Sequence, residues 1–132
     1  MRASKDKIQM IGRLQRRSDF LRVQASGQKW VSPTIVLQMA GNDTETIRFG
    51  LTITKKTSKS AVVRNRIRRR LRALALEALP DIGQPGTDYV LIGRLAALDA
   101  ESAALRKDFL WCVKRIHTAS KTMEKRREGH DT

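Results

Sequence analysis

The stretch Ile47-Arg48-Phe49-Gly50-Leu51-Thr52-Ile53-Thr54, followed after a short basic connection by Ser60-Ala61-Val62-Val63-Arg64-Asn65-Arg66-Ile67-Arg68-Arg69-Arg70-Leu71-Arg72, decides the fold. In its first half Ile47, Phe49, Leu51 and Ile53 alternate with Arg48, Gly50, Thr52 and Thr54, the period of a strand with one apolar face. In its second half the period changes. At about 100° per residue Val63, Ile67, Leu71, Leu74 and Ala78 fall on one stripe, while Arg64, Asn65, Arg68, Arg69 and Arg72 fall largely opposite. Arg66 and Arg70 flank the stripe, where their stems can cover apolar surface and their guanidinium groups reach out. Ser60 supplies a cap and Pro80 a stop, so a helix is expected from about Ala61 to Leu79.

Working outward, Ser18 can cap a short helix in which Phe20 and Val23 share a face and which Gly27 closes. Trp30 to Met39 reads as a strand, with Pro33 liable to break it. Gly41-Asn42-Asp43 gives turn chemistry before the Ile47 strand. Gly83, Pro85 and Gly86 make a loop, and Tyr89-Val90-Leu91-Ile92 a short buried strand. Leu105, Phe109, Val113 and Ile116 stand at helical spacing in a last helix over about Ser102 to Ala119, with Cys112 beside them as a small hydrophobe. The pattern predicts an α+β fold, one layer of strands with helices packed on it, in the order helix, strands, helix, strand, helix and with one sheet face open. It divides the chain into a basic, loosely held arm over 1–12, one domain over 13–119 and a polar, disordered tail over 120–132.

Charge bounds the function. The 132 residues carry 27 Lys and Arg against 13 Asp and Glu, a net +14, which points to a polyanionic partner. Between Glu45 and Glu77 there is no acidic residue, while Arg48, Lys55, Lys56, Lys59, Arg64, Arg66, Arg68, Arg69, Arg70 and Arg72 all fall there. A merely solvated helix face is stabilised by opposite charges at i,i+4. Here Arg64 meets Arg68 and Arg68 meets Arg72, which costs a few tenths of a kcal/mol per pair and needs an outside anion to offset it. Arginine in place of lysine also suits bidentate phosphate contact. The chain has no apolar run near the ~20 residues of a membrane span and no leftover apolar helix face for insertion. The single cysteine fits a reducing compartment, and a cytoplasmic location is expected. His117 and His130 lack a neighbouring carboxylate cluster, and Asp19 reads as a helix-dipole partner, so no protein catalytic residue and no protein-held metal is expected.

Arg48-Phe49-Gly50-Leu51-Thr52-Ile53-Thr54-Lys55-Lys56 and Ala61-Val62-Val63-Arg64-Asn65-Arg66-Ile67-Arg68-Arg69-Arg70-Leu71-Arg72, in that order, closely resemble the signature of the bacterial ribonuclease P protein family. Ser18-Asp19-Phe20, the strand Asp88-Tyr89-Val90-Leu91-Ile92 and the closing amphipathic helix support the likeness, which runs from about Arg13 to Ile116. The resemblance implies about four strands in the order α-β-β-β-α-β-α, with a left-handed crossover around the arginine helix. It also implies that a partner RNA, using magnesium, removes the 5′ leader of precursor tRNA, with the protein as accessory subunit, holding no cofactor and needing no obligate protein partner. Arg64, Asn65, Arg66, Arg68, Arg69 and Arg72, extended by Lys55, Lys56 and Lys59, would then face the catalytic RNA. Phe20, Gln24, Gln38 and Arg48 would line a cleft for the leader. Gln24 and Gln38 stand where many members carry aromatics, so stacking there is reduced in favour of amide hydrogen bonds and charge. The alternative is a structural, ribosomal-type RNA-binding protein with no part in processing.

Overall fold

The computed structural model describes residues 11–131, with side chains described through Lys121. Its elements are β1 (Ile11–Arg13), α1 (Arg17–Ala25), β2 (Lys29–Val31), β3 (Ile35–Gly41), β4 (Ile47–Thr52), α2 (Ala61–Ile82), β5 (Thr87–Gly93), a 3-10 turn (Leu95–Ala97) and α3 (Ser102–Asp131). They form one five-stranded sheet in the order β1-β4-β5-β3-β2. β2, β3 and β5 pair antiparallel, whereas β4 is parallel to both β5 and β1. Parallel neighbours require a crossover. α2 provides it between β4 and β5.

Alternation along the strands sorts the side chains into two layers. Ile35, Leu37, Met39, Ile47, Phe49, Tyr89 and Leu91 point to one face, where they join Ile67, Leu71 and Ala75 of α2 and Leu105, Phe109, Cys112 and Val113 of α3 in the main core. Ala40 and Val90 point the other way and, with Leu14, form a smaller cluster under Phe20 and Val23 of α1. The second face expected to be open is therefore partly covered, by α1. Gly93 lets α2 settle on the sheet. A Cβ there would stand 2.7 Å from Ile67 Cγ2 and 2.9 Å from Ile53 Cγ1, so any larger residue would lever the arginine helix outward.

Several boundaries depart from the sequence reading. Of the arm over 1–12, residues 1–10 lie outside the described residues, and Ile11 and Gly12 belong to β1, the fifth strand, in register with Ile47 and Arg48. The strand from Trp30 is broken, as Pro33 suggested, into β2 and β3, and the Ser32 hydroxyl donates to Ile35 O at 2.7 Å across the break. α1 begins at Arg17 with Ser18 inside its first turn, so Ser18 is not its cap. Ser60 does cap α2, its Oγ accepting from Val63 N at 3.2 Å. Pro80 does not end α2: the helix continues to Ile82, and the Gly83 N–H closes it on Leu79 O at 2.8 Å. A proline there forfeits only the bond to Leu76 O, at a half-exposed position where water can replace it. α3 runs beyond residue 119 to Asp131 through Lys121, Met123, Glu124, Lys125, Arg126 and Arg127, residue types with high helix propensity.

Candidate nucleic-acid interface

The apolar stripe of α2 is buried on the sheet, with Ile67 and Leu71 fully inaccessible, and this fixes the opposite face toward solvent. Val62, Asn65, Arg68, Arg69 and Arg72 line an open groove of about 420 Å³ on that face. Asn65 Oδ1 accepts from Arg68 Nη1 at 2.7 Å, aligning that guanidinium along the helix. Arg64 bends back instead, donating to the carbonyls of Ser58 at 2.9 Å and Lys59 at 3.0 Å. It ties the β4–α2 connection, with exposed Lys55, Lys56 and Lys59, to the start of the helix. Among the described residues none of Arg64, Arg66, Arg68, Arg69 and Arg72 has a carboxylate within salt-bridge distance. Five like charges are thus held on one helix with no counterion among the described residues.

Arg70, in the same run, is spent inside the protein. Its guanidinium donates to Ala97 O at 2.7 Å, Leu98 O at 3.1 Å and Ala100 O, pinning the 3-10 turn that leads into α3. Its flank position, with its stem along the apolar stripe, put it within reach of those carbonyls.

A second groove, of about 510 Å³, opens between α1 and the end of β4 and is lined by Gln15, Arg17, Phe20, Leu21, Gln24, Leu51, Thr52, Ile53 and Arg68. Gly50 makes room for its aromatic. A Cβ at Gly50 would lie 2.5 Å from Phe20 Cε1 and Cζ, so the ring rests directly on the strand backbone. Phe20 serves both the minor cluster and the groove wall. Arg68 lines both grooves, making the two surfaces continuous.

The expected cleft residues do not all converge. Phe20 and Gln24 line the second groove, whereas Gln38 and Arg48 are absent from its lining. Gln38 lies on β3, paired with Lys29 and Val90. Arg48 turns to the far end of α1, where its Nε and Nη2 each donate at 2.8 Å to fully buried Asp88. Asn42 Nδ2 donates to the same carboxylate at 2.8 Å, as does Arg22 of α1. Burial pushes the Asp88 carboxyl up, but the hydrogen bonds from Arg48, Asn42 and Arg22 outweigh it and hold the group below its ordinary range. This cluster clamps α1 to the sheet. Arg17, Gln15 and Thr52 are groove residues that sequence reasoning missed, because nothing in their local pattern says which loop faces α1.

The family comparison bears on residues 10–117, which match the family model described as Ribonuclease P. The chain belongs to the ribonuclease P protein family. The ribonuclease P protein component of Paramagnetospirillum magneticum is 41% identical over 117 residues, covering 85% of this chain and 87% of that protein. That of Gluconacetobacter diazotrophicus is 44% identical over 97 residues, covering 73% and 83%. The fold matches the ribonuclease P protein from Thermotoga maritima with a TM-score of 0.68 at 24% identity, over 78% of this chain and 96% of that one. For the Staphylococcus aureus protein the TM-score is 0.66 at 24% identity, over 77% and 92%. Family membership makes this chain a ribonucleoprotein component of tRNA processing, for which an open cationic face is the appropriate equipment. Among the described residues no group of three or more His, Cys, Asp or Glu is placed to hold a metal, and no helix is long and apolar enough to cross a membrane.

Proposed function

We propose that this chain is the accessory subunit of a ribonuclease P in which the RNA carries catalysis, and that it holds that RNA on α2 and the single-stranded 5′ leader of precursor tRNA in the groove under α1. One observation carries the reading: five of the six α2 arginines, Arg64, Arg66, Arg68, Arg69 and Arg72, have no carboxylate partner among the described residues and are not tied down as Arg70 is to the 3-10 turn, and one of them, Arg68, also lines the α1 groove. Asn65, Arg68, Arg69 and Arg72 would meet phosphates of the catalytic RNA. Arg66 and the lysines Lys55, Lys56 and Lys59 would extend that contact. Phe20 supplies one stacking surface and Gln24 an amide for the leader, a modest stacking platform by the standards of single-strand binders. Gln38 and Arg48 would act on the leader only indirectly, Arg48 by keeping α1 in place. Magnesium belongs to the RNA-containing holoenzyme, where it would supply the Lewis acid for phosphodiester hydrolysis; the protein's cations lower the repulsion that substrate and RNA phosphates exert on one another. The setting is cytoplasmic.

The test mixes the purified chain with its cognate ribonuclease P RNA at low magnesium and follows cleavage of precursor tRNA. Stimulation over RNA alone, with no cleavage by the protein alone, is the expected result. Absence of stimulation, or cleavage without RNA, overturns the reading.

A further inference from the structure

On the other side of the molecule, against the edge strand β2, lies a second arrangement suited to nucleic acid. Trp30 of β2 and Trp111 of α3 meet edge to face, ring centroids 5.9 Å apart at 67°, and the Arg115 guanidinium lies 5.6 Å from the Trp30 centroid. Trp30 is partly buried against the core, whereas Trp111 is 45% exposed on the outer side of α3. At 100° per residue Lys107, Lys114 and Arg115 all fall within about 60° of Trp111. All three are exposed, and none has a carboxylate within salt-bridge distance among the described residues. The nearby acid, Asp108, accepts from the Thr34 hydroxyl at 2.7 Å and stands at the edge of this stripe.

We propose that the Trp111 face of α3 is a second RNA-binding surface, which takes an unpaired base on the free face of the Trp111 indole and the flanking phosphates on Lys107, Lys114 and Arg115. Every base offers a π-face, so a lone exposed indole serves regardless of sequence, and cations two turns apart along a helix span about 12 Å of backbone. A guanidinium stacked on a ring, as Arg115 is on Trp30, keeps its N–H edges for a phosphate. Four strand spacings, about 19 Å, separate β1 from β2 across the sheet, and α2 packs toward the β1 side while α3 packs toward the β2 side. An RNA on α2 therefore does not reach this surface by a side-chain shift; it takes a distinct segment. The inference rests on the chain having an RNA partner, but not on which groove holds the leader.

The experiment exploits the fact that Trp30 and Trp111 are the chain's two tryptophans, so its intrinsic indole emission comes from this patch alone. Titration of the full chain with an unstructured oligouridylate twelve-mer, and separately with the cognate ribonuclease P RNA, is read by tryptophan quenching and by anisotropy of labelled RNA. The expected result is saturable quenching, a loss of about 5- to 100-fold in twelve-mer affinity in Trp111→Ala and a smaller loss in Trp111→Phe. In a Lys107→Ala/Lys114→Ala double variant, where only exposed side chains change, the salt slope should fall by about 1.4. RNA binding with unaltered emission and no effect of these variants overturns the proposal. So does self-association abolished by Trp111→Ala without any quenching by RNA, which would give the face to a second copy of the chain. Absence of processing stimulation by the unaltered chain with quenching intact would instead fail the ribonuclease P reading and leave this surface standing.

Discussion

The outer face of α2 and the Asp88 cluster beneath α1 are built from the same residue, arginine, and use it in opposite ways. On α2, exposed Arg66 and Arg69 and half-buried Arg68 and Arg72 have no carboxylate in reach among the described residues. Under α1, Arg22 and Arg48 converge on one fully buried carboxylate, with Asp19 also within 3.9 Å of Arg48. The first arrangement carries stored repulsion that an external anion relieves; the second satisfies its charge internally and sells nothing to a partner. Arginine content therefore does not locate an interface. The absence of an internal partner does.

The largest expected effect comes from emptying the internal cluster. Asp88→Asn leaves two guanidinium groups facing a neutral amide in a buried site, and stability should fall by about 3 kcal/mol, the loss typical of breaking a buried pair from one side. The melting temperature should drop by roughly 10 °C. Acid should do the same reversibly. Because the folded carboxyl titrates below its unfolded value, the unfolded chain binds the proton first, so the stabilisation is complete above about pH 4 and disappears as pH falls through the folded value. A melting curve of Asp88→Asn that keeps the full wild-type acid dependence between pH 5 and 2 would break the assignment of that carboxylate as the clamp.

Next in size is Gly50→Ala. The added methyl would need the space of the Phe20 ring, and overpacking of this kind costs about 2 kcal/mol. Because the ring is also the wall of the α1 groove, the variant should lose leader affinity while keeping its affinity for the catalytic RNA on α2. Equal loss of both affinities would mean that α1 and α2 do not form separate contacts.

Within one turn of α2 the comparison sharpens to neighbours. Arg70→Ala removes donors from the carbonyls of Ala97, Leu98 and Ala100, and should cost about 1.5 kcal/mol of stability with little change in the salt dependence of RNA binding. Arg69→Ala should do the reverse, leaving thermal unfolding within about 0.5 kcal/mol of wild type and lowering the salt slope. The pair is checked by calorimetry and by RNA titration at several salt concentrations.

Much of this was legible in the sequence. The alternation from Ile47 to Ile53 and the stripe through Ile67, Leu71 and Ala78 put the right residues on the core side, because both periods are imposed by backbone geometry and solvent alone. Ser60 was legible as a cap for the same local reason. β1 was not: Ile11-Gly12-Arg13 has no strand pattern of its own, and it is a strand only because β4 offers it a parallel edge. Arg48 was not legible either. Its position in the signature groups it with the binding residues, yet what it does is decided by Asp88, 40 residues along the chain and brought to it by the β4–β5 pairing. Local rules read faces and caps; they do not read which cation has found an anion through space.

Arg68→Ala is the smallest change and the one that tests whether the two grooves are a single surface. The side chain is held by Asn65, lines the α2 groove with Arg69 and Arg72, and lines the α1 groove with Phe20 and Gln24. Removing one phosphate contact should lower the salt slope by about one and the affinity by about tenfold or less. If Arg68 serves the catalytic RNA only, the loss appears in binding to that RNA and the apparent affinity for precursor tRNA is unchanged once the complex is formed. If it bridges, both fall together, and a precursor with its leader removed recovers the difference. Arg68 is half-buried, so thermal unfolding is measured beside binding: a drop in stability of more than about 0.5 kcal/mol would place it with Arg48 and Arg70, among the arginines spent inside the protein.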